Sequence, residues 1–232
     1  MTIEWRTVRL VVFDMDGTLY DQRPLRRAMA WELARGLTRK DGRRALPALR
    51  TFRKVREQLG EEGHADFATE QYGRTARLTG LPETEIRRIV AEWIDERPLR
   101  MLPRFRAPGI DVLFAALRRS GRTIAIWSDY PVDSKLAALG LEADHRIWSG
   151  TEGVGRLKPH PAGLRQLLDR AGNRPEEALV IGDRFDRDWE GAAALGARTL
   201  IRSRRPDPRS PTFRDYRDPV FADALLAETD HG

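Results

Sequence analysis

The chain has 232 residues, of which 41% are hydrophobic, carries a formal charge of +6 and contains no cysteine. That length suits one large domain or a core with an insert, and the apolar content excludes wholesale disorder. The missing cysteines exclude disulfides, thiolate nucleophiles and thiolate metal sites.

The basic balance favours anionic ligands. Lys and Arg are nevertheless interleaved with 35 acidic residues rather than gathered in a stripe, so no nucleic-acid role is expected. No apolar run approaches the length of a membrane span and the N-terminus lacks a secretory pattern, so the expectation is a soluble, cytoplasmic protein with no membrane partner. Nearly all the positive charge is arginine. The four lysines, Lys40, Lys54, Lys135 and Lys158, are therefore mildly informative wherever they fall.

The first predicted strand, Val8 to Phe13, is apolar apart from Arg9 and reads as largely buried. It ends at Asp14-Met15-Asp16-Gly17-Thr18. In extended backbone Asp14 and Asp16 share a face, and Gly17 lets the chain turn sharply away. Two like charges at a buried strand end are costly unless a cation offsets them or one carries a proton. One carboxylate is thus read as nucleophile or metal ligand and the other as proton carrier, with ordinary Asp-Gly turn chemistry as the plainer alternative.

Asp21 and Pro24 suit a helix start, and the texture stays helical to about Pro98. Apolar residues recur at helical spacing in Leu25, Met29, Leu33 and Leu37, then in Leu46, Leu49, Phe52, Val55 and Leu59. A third helix is predicted over Ala65 to Leu78. A fourth spans Pro82 to Glu96, with Ile86, Ile89, Val90 and Trp93 on one face. Gly42, Gly60, Gly63 and Gly80 punctuate the block.

Beyond Gly109 the pattern alternates. Helices are predicted at Ile110 to Ser120, Val132 to Leu139, Pro161 to Ala171 and Trp189 to Leu195. Strands are predicted at Thr123 to Trp127, His145 to Trp148, Ala178 to Ile181 and Arg198 to Ile201. Such alternation specifies an α/β fold with a parallel sheet. The first strand belongs to that sheet, so residues 1–20 and 99–232 form the core and 21–98 an inserted helical domain. Arg202 to Pro219 reads as a surface loop, followed by a short helix, Val220 to Ala227.

In parallel sheets ligands bind at the carboxyl ends of the strands. Asp14, Ser128 and Asp183 all lie just past predicted strand ends. Asp183, Asp186 and Asp188 could hold a hard cation such as Mg²⁺, with Asp188 better placed than Asp186 to turn back. Lys158, stiffened by Pro159 and Pro161, could balance carboxylates and an incoming phosphate. Ser128 can donate to a phosphate oxygen. His64, His145 and His160 read as surface or structural residues, and His231 falls in the tail. Arg23, Arg26 and Arg27 could recognise an anionic substrate, although a solvated helix face is the preferred reading.

Taken together, Asp14-Met15-Asp16-Gly17-Thr18, the strand ending at Ser128, Lys158-Pro159 and Gly182-Asp183 with Asp188 resemble, in order, the motifs of the haloacid dehalogenase (HAD) superfamily of phosphohydrolases. The inserted helices resemble the helical cap of its phosphoglycolate phosphatase-like members. The resemblance implies a Rossmann-like core and a Mg²⁺-dependent phosphatase acting on a small phosphorylated metabolite. Asp14 would be the nucleophile, forming an aspartyl-phosphate, and Asp16 the general acid and base. Mg²⁺ would be held by Asp14, the backbone carbonyl of Asp16 and Asp183, with Asp188 supporting. Ser128, Asp129 and Lys158 would hold the phosphate. Asp129 departs from the asparagine common at that position. Sugar-phosphate mutase chemistry is the runner-up, and dehalogenation or a non-catalytic binding role comes behind it. The expected assembly is a monomer or homodimer.

Overall fold

A computed structural model describes residues 3–35 and 40–226. Its centre is a six-stranded sheet, wholly parallel. The strands are β1 (Leu10–Phe13), β2 (Thr123–Ser128), β3 (His145–Trp148), β4 (Ala178–Gly182), β5 (Arg198–Arg202) and β6 (Thr212–Phe213), in the order β3-β2-β1-β4-β5-β6. β1 lies between β2 and β4, with Phe13 opposite Ile126 on one side and Ile181 on the other.

Because side chains alternate across a strand, parity divides the apolar residues between two cores. Val11, Phe13, Ile124, Ile126, Leu179 and Ile181 face one cluster. Leu10, Val12, Ala125, Trp127, Ala178 and Val180 face the other. Burial on both faces explains why β1 and β4 read as continuous apolar runs. On the first face pack α5 (Ile110–Arg119), α6 (Asp133–Leu139) and α9 (Ala222–Leu226). The second is covered by α7 (Ala162–Ala171) and α8 (Glu190–Ala193).

Between β1 and α5 the described residues form four α-helices: α1 (Gln22–Arg35), α2 (Lys40–Glu61), α3 (Phe67–Thr79) and α4 (Glu83–Val90). Wider π-type turns from Ala91 to Glu96 extend α4, so the predicted fourth helix continues with altered winding. Ile86, Ile89, Val90 and Trp93 are buried as their spacing predicted. Leu25, Met29 and Leu33 on α1 join the same cluster as Val11 and Phe13, so the block packs continuously onto the core. Leu37, assigned from its spacing to the first helix, and Ala227 and His231 lie outside the described residues.

Three elements differ from expectation. Gly42 and Gly60 sit inside α2 rather than punctuating it, and β1 starts at Leu10 because Trp5–Thr7 forms a 3-10 turn before it. The segment after β5 is also no simple surface loop. Thr212–Phe213 adds a sixth strand, and the Phe213 ring lies 5.1 Å from Tyr216 and 5.0 Å from Phe221. Tyr216 reaches Phe13 at 6.2 Å, closing the edge of the first core. Its arginines and prolines hid a few aromatic anchors that bury large areas. Phe213→Ala is therefore expected to cost about 3–5 kcal/mol, as for a core aromatic, and not the roughly 0.5 kcal/mol of a surface site. The midpoint of denaturant unfolding measures it.

Candidate active site

The chain leaves β1 for β2 and β3 on one side and returns to β4 on the other. The strand order therefore switches beside β1, where a crevice opens at the carboxyl ends. Asp14 follows β1 directly, and its amide donates to the Ile181 carbonyl of β4 at 2.8 Å. Asp183 follows β4. One oxygen from each of Asp14, Asp183 and Asp188 lies within 4.8 Å of the others.

Two glycines permit this crowding. Gly17 holds φ at 102°, and a Cβ there would stand 2.1 Å from an Asp183 carboxylate oxygen. A Cβ on Gly182 would stand 2.3 Å from the Asp188 carboxylate. Any larger residue at either position would push a carboxylate out of the cluster.

Asp188 sits in a π-type turn, Phe185–Trp189, so this helical segment starts four residues earlier than expected. Its Oδ2 accepts the amides of Asp183 and Arg184 at 3.1 and 3.0 Å, which turns the side chain back toward the sheet. Asp186 points outward, paired with Arg184 at 2.5 Å, leaving Asp188 as the inward carboxylate of the two.

Lys158 is buried at 2% exposure and joins the cluster together, its Nζ donating to Asp14 Oδ1 at 2.8 Å and Asp188 Oδ1 at 2.7 Å. Burial opposes its charge, yet Asp14, Asp188 and Asp129 outweigh that and hold its pKa above the ordinary lysine value. Asp14 is pushed up to about 7, chiefly by burial, with Lys158 opposing and the Asp188 and Asp16 charges adding to the rise. Asp183 is also raised well above the carboxylate range by burial and by Asp14 and Asp188. Carboxylates this crowded around hard oxygen donors fit a small divalent cation.

Asp16 turns elsewhere. Its Oδ1 accepts from Lys135 Nζ at 2.5 Å and from the Tyr20 hydroxyl. Burial works to raise it, but Lys135 and the hydrogen bonds prevail and hold it below the ordinary aspartate value. Thr18 donates to Asp14 Oδ2 at 3.0 Å. Ser128, at the end of β2, accepts the Tyr130 amide at 3.1 Å, which leaves its own proton to donate. Asp129 accepts from the Ser149 hydroxyl at 2.7 Å and from the Lys158 amide at 2.9 Å through the same oxygen, so its carboxylate braces the lysine loop.

Sequence reasoning did not find Lys135, Tyr20, Glu57 or Arg187. Rarity was the one signal for Lys135: two of the chain's four lysines converge on the two motif aspartates. Glu57 on α2 accepts from Arg184 at 2.8 Å and from Arg187 at 2.7 Å, and Arg187 in turn donates to the Lys158 carbonyl. Arg56 of α2 donates to the Asp129 carbonyl. Gly60 leaves room for the Arg187 guanidinium. The helical block is thus tied to both loops that carry the site. All three of Arg23, Arg26 and Arg27 are exposed, and of them only Arg26 lines the cavity over the site. His160 lies outside the cluster.

A family model described as haloacid dehalogenase-like hydrolase matches residues 8–196. The chain belongs to the haloacid dehalogenase-like hydrolases. It is 27% identical to the glyceraldehyde 3-phosphate phosphatase of Methanopyrus kandleri over 85% of its own length and 84% of that protein's. It is also 27% identical to mouse haloacid dehalogenase-like hydrolase domain-containing protein 3, over 68% of its own length but only 62% of the mouse protein's. Among solved structures, the 2-haloacid dehalogenase from Pseudomonas syringae pv. Tomato DC3000 superposes with a TM-score of 0.65, covering 95% of this chain and 98% of that one at 20% identity, a likeness of fold.

In this haloacid dehalogenase-like hydrolase, Asp14 titrates near 7 when folded against an ordinary value of 3.8, so the folded state holds the proton more firmly than the unfolded chain does. In chelator, stability should therefore fall as pH rises from about 4 to about 7. Asp14→Asn removes this loss. In thermal unfolding the variant's midpoint relative to the parent's is expected to rise across that interval, whatever the constant cost of losing the Lys158 contact; parallel pH profiles would show an unstrained carboxylate.

Proposed function

We propose that this chain is a Mg²⁺-dependent phosphatase of small phosphorylated metabolites, with Asp14 as nucleophile. The observation that carries the reading is the convergence of Asp14, Asp183, Asp188 and Lys158 at the switch point of the sheet. Membership of a hydrolase family and a named phosphatase relative support the class of reaction.

Asp14, Asp183 and Asp188 would hold Mg²⁺, with the Asp16 carbonyl as a further donor. The bound ion would offset the mutual repulsion of the carboxylates and the negative charge of the phosphate. An Asp14 oxygen attacks phosphorus as the bond to the leaving oxygen breaks, and that oxygen takes a proton from Asp16. Water then attacks the aspartyl-phosphate, returning its proton to Asp16 and releasing phosphate. Lys158 stays charged in its carboxylate surroundings, so it and the Ser128 hydroxyl can stabilise the transferring oxygens. Asp129 acts by bracing Lys158.

The contact of Asp16 with Lys135 and Tyr20 favours its ionised form, the one required for the second half of the reaction. For the first half, Asp16 must exchange Lys135 for the substrate's leaving oxygen. Residues 21–98 act as a cap, tied to the core through Glu57 and Arg56, that covers the cavity and excludes water during transfer.

Phosphate release from phenyl phosphate with Mg²⁺ tests the reading. Activity is expected to vanish in chelator and in Asp14→Asn, and to fall about 10²–10⁴-fold in Asp16→Asn. Full turnover in Asp14→Asn would remove the assigned nucleophile, and isomerised sugar phosphate without free phosphate would point to transfer.

A further inference from the structure

The cavity over the acidic cluster, about 360 Å³, is of a size that holds an organic ligand as well as a phosphate. Its lining is of two kinds. Beyond Asp14, Asp183, Asp188 and Lys158 it is lined by Arg26 of α1 and Arg53 of α2, and by a largely apolar wall.

Among the described residues neither Arg26 nor Arg53 hydrogen-bonds or ion-pairs with the protein. Arg50 of α2 also lines the cavity, likewise without such a partner, whereas three others that reach it are engaged: Arg56 binds Gln71 and the Asp129 carbonyl, and Arg184 and Arg187 share Glu57. Arg53 lies among Tyr130, Arg26, Tyr20 and Asp16. Burial holds its guanidinium below the ordinary value, and the like charge of Arg26 adds to that effect. Asp16 is the carboxylate felt by both arginines, but Lys135 and Tyr20 already engage it. Around Asp16, then, three cations face one carboxylate. Two neighbouring guanidinium groups without a protein partner make this end of the cavity cationic and open to an anion. A phosphate on Asp14 would have Lys158 as its own cation, which leaves these arginines to a second anion.

The apolar wall is continuous with this patch. Leu25, Met29 and Leu33 form one stripe of α1, spaced four residues apart, and Trp93 and Leu99 also line the cavity. Arg26 adjoins the stripe, next to Leu25.

We propose that the substrate is a phosphate monoester bearing a second anionic group, carboxylate or phosphate, on Arg26 and Arg53 and a hydrocarbon portion against the Leu25–Met29–Leu33 stripe. This rests on the phosphatase reading and narrows it to an amphiphilic organic phosphate.

The test uses alkyl phosphates of matched length ending in methyl, carboxylate or phosphate, in short and long forms. The ratio of kcat/KM for the anion-tipped to the methyl-tipped ester is expected to be about tenfold or more, the range for charge-assisted hydrogen bonds. It should fall toward one in Arg53→Met and Arg26→Met and recover in part in Arg53→Lys. Which tip gives the larger ratio identifies the second anion, and lengthening the chain should lower KM. A ratio near one in the parent, or one unchanged in both Met variants, overturns the proposal.

If no phosphate ester is turned over, the phosphatase reading has failed. The subsite is then read by calorimetry with the matched alkylphosphonates: a tighter parent complex for the anion-tipped ligand, lost in Arg53→Met, upholds it, and equal affinities refute it.

Discussion

The ammonium of Lys158, buried between Asp14 and Asp188, is the interaction on which the site depends. It joins the tip of β1, the loop before α7 and the turn after β4, three segments distant in sequence. A charge at 2% exposure survives because two carboxylates face it, and they in turn are less strained for its presence. Deleting one partner of such a buried set costs on the order of 3–5 kcal/mol, since the remaining charge is left uncompensated. The lysine is thus a structural clamp on all three segments.

The clamp is itself braced. Asp129 fixes the Lys158 amide from one side, and Arg187 takes its carbonyl from the other. Through Glu57, Arg187 reaches α2, and Arg56 carries the same helix to the Asp129 carbonyl. The helices that cover the cavity therefore contact the backbone on either side of the lysine, and any displacement of α2 would be felt at Lys158. The covering helix and the position of the lysine are coupled by direct contacts, with no need for a longer pathway.

The two motif aspartates stand in different environments. Asp14 lies among carboxylates and is driven toward protonation, while Asp16, two residues on, lies among cations that favour its ionised form. Divergent environments for adjacent carboxylates are how one site assigns them separate roles. The same cationic surroundings of Asp16 extend to Arg26 and Arg53, so the field acting on its proton also faces the cavity.

Much of this was legible along the chain. Apolar runs with period two or none fixed five of the six strands, helical spacing found the helices between β1 and α5, and oxygen-bearing residues at three strand ends pointed to the edge where Asp14 and Asp183 converge, because these signals are local and the parallel sheet brings strand ends to one edge. Strand β6 was hidden, since two residues held by aromatics from elsewhere leave no periodic trace. Lys135, Glu57 and Arg187 carry no motif; they matter through partners 119, 127 and 130 positions away, and only folding makes them neighbours. The sequence by itself determined the α/β class and which carboxylates meet at the sheet edge. The tertiary structure alone decided the direction in which Asp16 turns and the arginines that face the cavity, because a side chain's charge environment is assembled from segments that sequence spacing does not relate.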